Sequence, residues 1–301
     1  MKKPPPYRQL RLCVLLTIFV IQCTTVLHAQ DEGTGLSVFV DGGGMFPSSK
    51  QAGFYSGRPE NENTIRRVLY SQAYGPEIWS TLRDQGYLQG IGTYEEIKLA
   101  DYPEMYYKIG YQIGLGLRYS YNGGWGWMLR AAYARLTAAG VFHLENRPGA
   151  GILTNKDQYI TCGMYGLENR INIDLALTKR IPLSNNLQIE IALGIDLNNT
   201  KVKQNKMEIG GKYYNILNVW GSSELYPGVG EYDYINQGGL GWGGFGSAAV
   251  SYAIKGIGSL DIGYTCYYTQ TKFKGYNDGN AFAPQHIVYV RANIEKFSFW
   301  D

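Results

Sequence analysis

The chain has 301 residues, with 28 Lys+Arg against 25 Asp+Glu, 3 His, 39 Gly and 26 Tyr. Four of the bases (Lys2, Lys3, Arg8 and Arg11) fall in the first 29 residues. Without them 24 bases face 25 acids, so the basic surplus of a nucleic-acid binder is missing. After residue 30 no apolar run approaches the ~18 residues of a spanning helix, which excludes a helical membrane protein, and the abundance of aromatic and β-branched residues argues against disorder.

In chain order, residues 1–29 come first and read as a secretory signal peptide. A basic start precedes the apolar run Leu12 to Ile21, and Leu27-His28-Ala29 offers a cleavage site before Gln30. Cleavage there removes Cys13 and Cys23. It leaves Cys162 and Cys266, too few for a disulfide framework.

The mature part, 30–301, alternates with period 2, the mark of strands whose two faces meet different surroundings. Leu187, Ile189, Ile191, Leu193, Ile195 and Leu197 alternate with polar or small residues such as Glu190 and Asp196. Eight strands are expected, at 35–46, 106–121, 125–144, 165–183, 187–203, 239–254, 258–273 and 285–300. Three connections are tight (122–124, 184–186 and 255–257), and four are longer (47–105, 145–164, 204–238 and 274–284). Short turns at one end, long loops at the other and an even strand count describe an all-β fold, an eight-stranded antiparallel transmembrane β-barrel. Tyr119, Tyr121, Trp125 and Trp127, next to a tight turn, fit an aromatic girdle at a membrane interface.

With Leu27-His28-Ala29-Gln30 at its start, eight amphipathic strands, and the end Phe297-Ser298-Phe299-Trp300-Asp301, the chain resembles the small outer-membrane β-barrel proteins of Bacteroidota. These share their architecture with OmpA/OmpX-type barrels and with the PorT-like family. Such families end in an aromatic residue, whereas here Asp301 follows Trp300. The resemblance implies an outer-membrane protein, and the PorT likeness implies an accessory role in an envelope or secretion assembly.

Eight strands leave a lumen just wide enough to be filled by side chains. Arg118, Arg130, Glu190, Asp261, Arg291 and Glu295 are expected to face it and to pair, because buried charges must be compensated. By their distance from the turn 122–124, Arg118 and Arg130 are expected in one layer. Such a network closes the lumen; the rival reading is a path for protons or small ions.

The long first extracellular loop, 47–105, is expected to be partly helical. Asn63 suits the cap of a helix bearing Ile65, Val68, Leu69 and Ala73, and Pro76 suits the first turn of a second helix that ends near Gly86. Tyr70, Tyr74, Trp79 and Tyr87 are its candidate surface for a protein partner, the alternative being a folded cap over the barrel mouth.

His143 and His286 read as rim residues, since neither has a serine within four positions. The run Gly238 to Gly244 lacks the Lys-Ser/Thr of a phosphate loop. No cofactor, metal or nucleic acid is expected. The partners expected are outer-membrane lipid and a protein met through the extracellular loops. The function expected is a non-enzymatic structural or interaction component; a narrow channel or transporter and a lipid-modifying enzyme are the rival classes.

Overall fold

The computed structural model describes residues 35–294 apart from 62, 122, 150–156, 217–236, 255–257, 275 and 277–281. Residues 1–29, expected to be a signal peptide, lie outside the described residues, as do Glu295 and the aromatic C-terminus. Among the described residues there are ten strands: β1 Gly35–Phe46, β2 Tyr106–Tyr107, β3 Gly110–Ser120, β4 Trp125–Glu145, β5 Tyr159–Pro182, β6 Leu187–Ile209, β7 Lys212–Asn215, β8 Leu240–Ile254, β9 Gly258–Gln270 and β10 Phe282–Ile294. Eight of them close a ring of antiparallel pairs in the order β1-β3-β4-β5-β6-β8-β9-β10 and back to β1. This is the antiparallel barrel that the alternation predicts.

The barrel is staggered. An outward row that starts at Lys201 passes Asn169, Arg135, Tyr111, Gly44, Val288, Tyr264 and Ala248. It returns to its own strand at Ile191, ten residues lower. Such a shear on eight strands tilts each by roughly 40°.

The two faces divide as the period dictates. Ile171, Ile173, Leu175 and Leu177 on β5 and Ile191, Leu193, Ile195 and Leu197 on β6 are exposed. Asn172, Asp174, Ala176 and Thr178, with Glu190, Ala192, Asp196 and Asn198, are buried inside. Leu193 leaves 68% of its surface open and Ile113 on β3 60%. A globular protein in water does not carry a continuous aliphatic belt of this kind.

Strand ends differ from expectation at the long-loop end. β5 begins at Tyr159 rather than 165, and β6 runs to Ile209 rather than 203, turning at Gly210 and Gly211 (φ 60° and 83°) into β7. The expected strand 106–121 breaks at Lys108-Ile109 into β2 and β3. A bulge explains how β6 continues. Leu167 pairs with Gln204 and Glu168 with Val202, so the register skips Lys203. Below it the odd residues of β6 face outward; above it Met207 and Ile209, also odd, are buried. One inserted residue thus turns the apolar face of the strand inward.

That inward apolar face receives the first loop. It folds into α1 Ser49–Ala52, a 3-10 turn at Gly53–Ser56, α2 Ile65–Leu69, α3 Gly75–Asp84 and a second 3-10 turn at Tyr94–Glu96. Phe54, Ile65, Leu69, Ile78 and Leu82 pack with Phe142, Leu144, Ile160, Met164, Met207 and Ile209 into one buried core. Thr64 caps α2, its hydroxyl accepting the Arg67 N–H at 3.2 Å. Asn63, expected to be that cap, instead donates its side-chain amide to Gln237 at 2.8 Å. α2 ends at Leu69, short of Ala73, whereas Pro76 does sit in the first turn of α3 and Gly86 follows its end with φ 84°.

Candidate functional site

The lumen is crossed by three tiers of charge, each held by arginines whose strands point them inward. Lowest, nearest the short turns, Arg118 on β3 donates to Glu190 and to the Asn293 side-chain oxygen, both at 2.8 Å. Arg291 on β10 reaches the same Glu190 oxygen at 3.0 Å, and Arg180 reaches the other at 3.3 Å. Asp261 lies 3.7 Å from Arg118 and 3.8 Å from Arg291, and accepts from the Asn293 amide at 2.8 Å. The Phe39 ring lies between the two guanidiniums, 5.5 Å from Arg118 and 4.5 Å from Arg291.

The middle tier belongs to Arg130. It grips Asp41 with two parallel hydrogen bonds of 2.7 Å and Asp174 with a third of 2.8 Å. The Tyr267 hydroxyl donates to the same Asp174 oxygen at 2.8 Å. Asp196, which pairs in register with Asp174, accepts from the Asn172 and Asn198 amides at 2.8 and 2.9 Å.

The uppermost tier joins barrel to cap. Arg170 is bound to Glu168 at 2.6 Å and donates to Gln285 and to Gln51 of α1 at 2.8 and 3.1 Å. The Tyr55 and Tyr107 hydroxyls donate to the other Glu168 oxygen at 2.6 and 3.1 Å. Burial, reinforced by the Glu168 carboxylate, holds the Tyr55 phenol well above its usual range.

Of the residues singled out from sequence, Arg118, Glu190, Asp261 and Arg291 come together in one tier. Arg130 does not join them. It stands opposite Gly116, two residues above Arg118, which stands opposite Met128. The expectation of one shared layer is therefore corrected: equal-looking counts from a turn differ by one inward step, enough to give each arginine its own acids. Glu295 falls outside the described residues. The sequence reading missed the Arg170–Glu168 pair, although both occupy even positions of β5 in step with Asn172 and Asp174; the parity was the available signal.

Of the four aromatics expected as a partner surface, Tyr74 is corrected. Tyr74 is buried, its ring 5.5 Å from Tyr214, while Trp79 and Tyr87 pack against the cap core. Tyr70 keeps an exposed edge, but its hydroxyl donates to the Ile97 carbonyl at 2.9 Å. Tyr74 builds the cap from within, because α2 and α3 turn their apolar stripe toward the strands, while Tyr70, Trp79 and Tyr87 keep part of their rings at the surface.

His143 donates through Nδ1 to the Asp101 carboxylate at 2.8 Å, and His286 pairs through Nδ1 with the Tyr264 hydroxyl at 2.6 Å. Among the described residues neither imidazole hydrogen-bonds a serine or threonine side chain, and no cluster of three His, Cys, Asp or Glu has the geometry of a metal site.

Neither a protein-family model nor a curated protein matches the chain. Among solved structures it is similar to Neisserial surface protein A (NspA), at 10% identity and a TM-score of 0.39, covering 88% of this chain and 100% of that one. It is also similar to Ail, the attachment invasion locus protein of Yersinia pestis, at 9% identity, covering 89% of this chain and 100% of that one, with a TM-score of 0.32. The same protein in complex with the heparin analogue sucrose octasulfate gives 9% identity and a TM-score of 0.31 over 89% and 100%.

Proposed function

We propose that the protein is a non-enzymatic outer-membrane β-barrel, exported by the signal peptide at residues 1–29, whose lumen is closed to ions. It serves as a structural or interaction component of the envelope, a role that an accessory subunit of a larger assembly would fill. One observation carries this reading: the same strands that expose an aliphatic belt outward fill the lumen with arginine–carboxylate tiers and close its upper end with a folded cap. A channel needs a continuous polar path, and bidentate pairs such as Arg130–Asp41 stand across it. The belt meets acyl chains, so outer-membrane lipid is the first partner.

Two measurements on the purified chain test this. The unboiled protein should migrate differently from the boiled one on gels, as a closed barrel does, and recovery as a soluble periplasmic protein defeats the assignment. In planar bilayers it should show no steady conductance. A steady open conductance that is unchanged in Arg118→Ala replaces this reading with that of a channel.

A further inference from the structure

Above the belt, β4, β5 and β6 project beyond the barrel, and with β2 and β7 they form a sheet whose inner face covers the cap. The outer face is lined with tyrosine. One row across it reads Tyr106, Ala139, Tyr165, Lys206 and Asn215; the next reads Val141, Gly163, Glu208 and Tyr213. Tyr106, Val141, Tyr159 and Tyr213 are exposed. Val141 is the low point between taller rings; the Tyr165 ring lies across Gly163 and meets the Tyr213 ring edge to face at 6.0 Å.

Polar groups are fixed at the margins. The Tyr165 hydroxyl donates to Glu208 at 3.1 Å, and Tyr213 shares the same carboxylate, whose hydrogen bond raises the Tyr213 phenol above its ordinary range. At the upper end the His143 ring stands 6.3 Å from Tyr159 and is held by Asp101. Rigid rings with oriented acceptors beside them offer two things at once. The electron-rich ring faces attract the C–H face of a pyranose, and the carboxylates accept its hydroxyls.

Position selects the source of the sugar. Tyr165 stands six residues above Ile171, the uppermost exposed aliphatic of β5. At ~3.3 Å per residue and ~40° of tilt that is roughly 15 Å beyond the acyl region. The platform faces sideways, continuous with the lipid-facing wall, so its neighbours are the head groups of the same leaflet.

We propose that this outer face of the projecting sheet binds the saccharide head group of the outer-leaflet glycolipid, with Tyr159, Tyr165 and Tyr213 as stacking surfaces and Glu208 as hydroxyl acceptor. The inference rests on the outer-membrane reading above.

The test uses the full barrel in phosphatidylethanolamine/phosphatidylglycerol nanodiscs, titrated with core oligosaccharide released from lipopolysaccharide and followed by saturation-transfer NMR. Wild type should bind, and Tyr165→Ala/Tyr213→Ala should bind at least tenfold more weakly with its gel shift intact. Should that variant lose the shift, Tyr213→Leu and Glu208→Gln serve instead, each expected to weaken binding several-fold. No binding by an inserted wild-type barrel, or undiminished binding by the variants, overturns the platform and leaves the membrane reading standing. A wild-type protein that does not enter the nanodisc overturns both. A photo-crosslinker at position 213 in cells should capture glycolipid; a discrete protein adduct in its place assigns the face to a protein and overturns the proposal.

Discussion

The same three strands, β4, β5 and β6, build two opposite kinds of protein. In the barrel their inward residues are Arg130, Asp174, Glu190 and Asp196, and their outward ones are aliphatic. In the projection the inward residues are Phe142, Leu144, Ile160, Met164, Met207 and Ile209, and the outward ones include Lys206, Glu208, Tyr165 and Thr161. The lower half is held by paired charges inside a lipid-facing wall, and the upper half by an apolar core like that of a water-soluble domain. The solvent outside decides which arrangement is stable. In lipid the burial of apolar side chains brings little, so specificity falls to polar packing within. In water the hydrophobic effect returns and the strands reverse their faces.

The sharpest way to break this comparison is to shift the register of β6 once more above its bulge. Inserting one serine between Lys206 and Met207 moves Met207 and Ile209 to the outer face, while Glu208 turns toward the cap core. Losing the burial of two large apolar side chains costs roughly 3–6 kcal/mol before the buried Glu208 charge is counted. The barrel below should keep its gel shift, whereas the loop 47–105 should become cleavable by trypsin. An intact, protease-resistant cap in the insertion variant would show that the register above the bulge does not set the face.

The barrel half is probed by Arg130→Ala, which leaves Asp174 buried without its cation and Asp41 with only Arg291, at 4.0 Å. The expected loss is about 3–5 kcal/mol, read as a lower urea midpoint of the gel-shifted form. The triple change Arg130→Met with Asp41→Leu and Asp174→Leu should recover most of it, because an apolar replacement of the whole cluster strands no charge. An undiminished midpoint in Arg130→Ala alone would mean that water reaches this tier and screens it.

The barrel half was legible in the sequence, and the projection was not. Odd aliphatics from Ile171 to Leu177 and from Leu187 to Leu197 declare both the period and the face, since lipid tolerates no break in that pattern. Above residue 200 the odd apolar residues Met207 and Ile209 continue the same parity on paper, but the skipped Lys203 reverses its meaning. A bulge leaves no composition signal. The tiers were half readable: inward parity names Arg118 and Arg130, yet the stagger that gives them different acids depends on the exact turn residue. One loop aromatic misled for a related reason. Tyr74 looks like an exposed contact residue only while the inward apolar wall it packs against is unseen.

A smaller effect separates the two outer faces. Leu193→Arg places a charge among acyl chains and should cost about 2–4 kcal/mol if it lies near the midplane. Thr161→Arg, on the outward face of the projection, should change stability by no more than about 0.5 kcal/mol, as for other exposed substitutions. A lipid-soluble thiol reagent should label cysteines introduced at 191, 193 and 195 and spare 190, 192 and 196. Labelling in the reverse pattern would make the aliphatic belt the interior of a soluble barrel.

The smallest effect appears only in alkali and belongs to the projection. Cys162 faces the cap core beside Met164, and burial, with help from Glu208, pushes its thiol up to about 12. The folded cap therefore favours the neutral thiol. Below the unfolded value near 9 both states are protonated and the group has no influence on stability. As pH climbs past 9 the unfolded chain ionises first and the cap is weakened, by about 1.4 kcal/mol one unit higher. Maleimide labelling of Cys162 should thus stay slow at pH 8 and accelerate by roughly tenfold more at pH 10 than thiolate chemistry on an exposed cysteine predicts. Cys162→Ala should remove the alkaline loss of protease resistance in the cap and leave the barrel's gel shift untouched. Equal alkaline sensitivity in Cys162→Ala would place the titrating group elsewhere, and fast labelling at pH 8 would show that the upper half lacks the dry core that sets it apart from the charged lumen beneath.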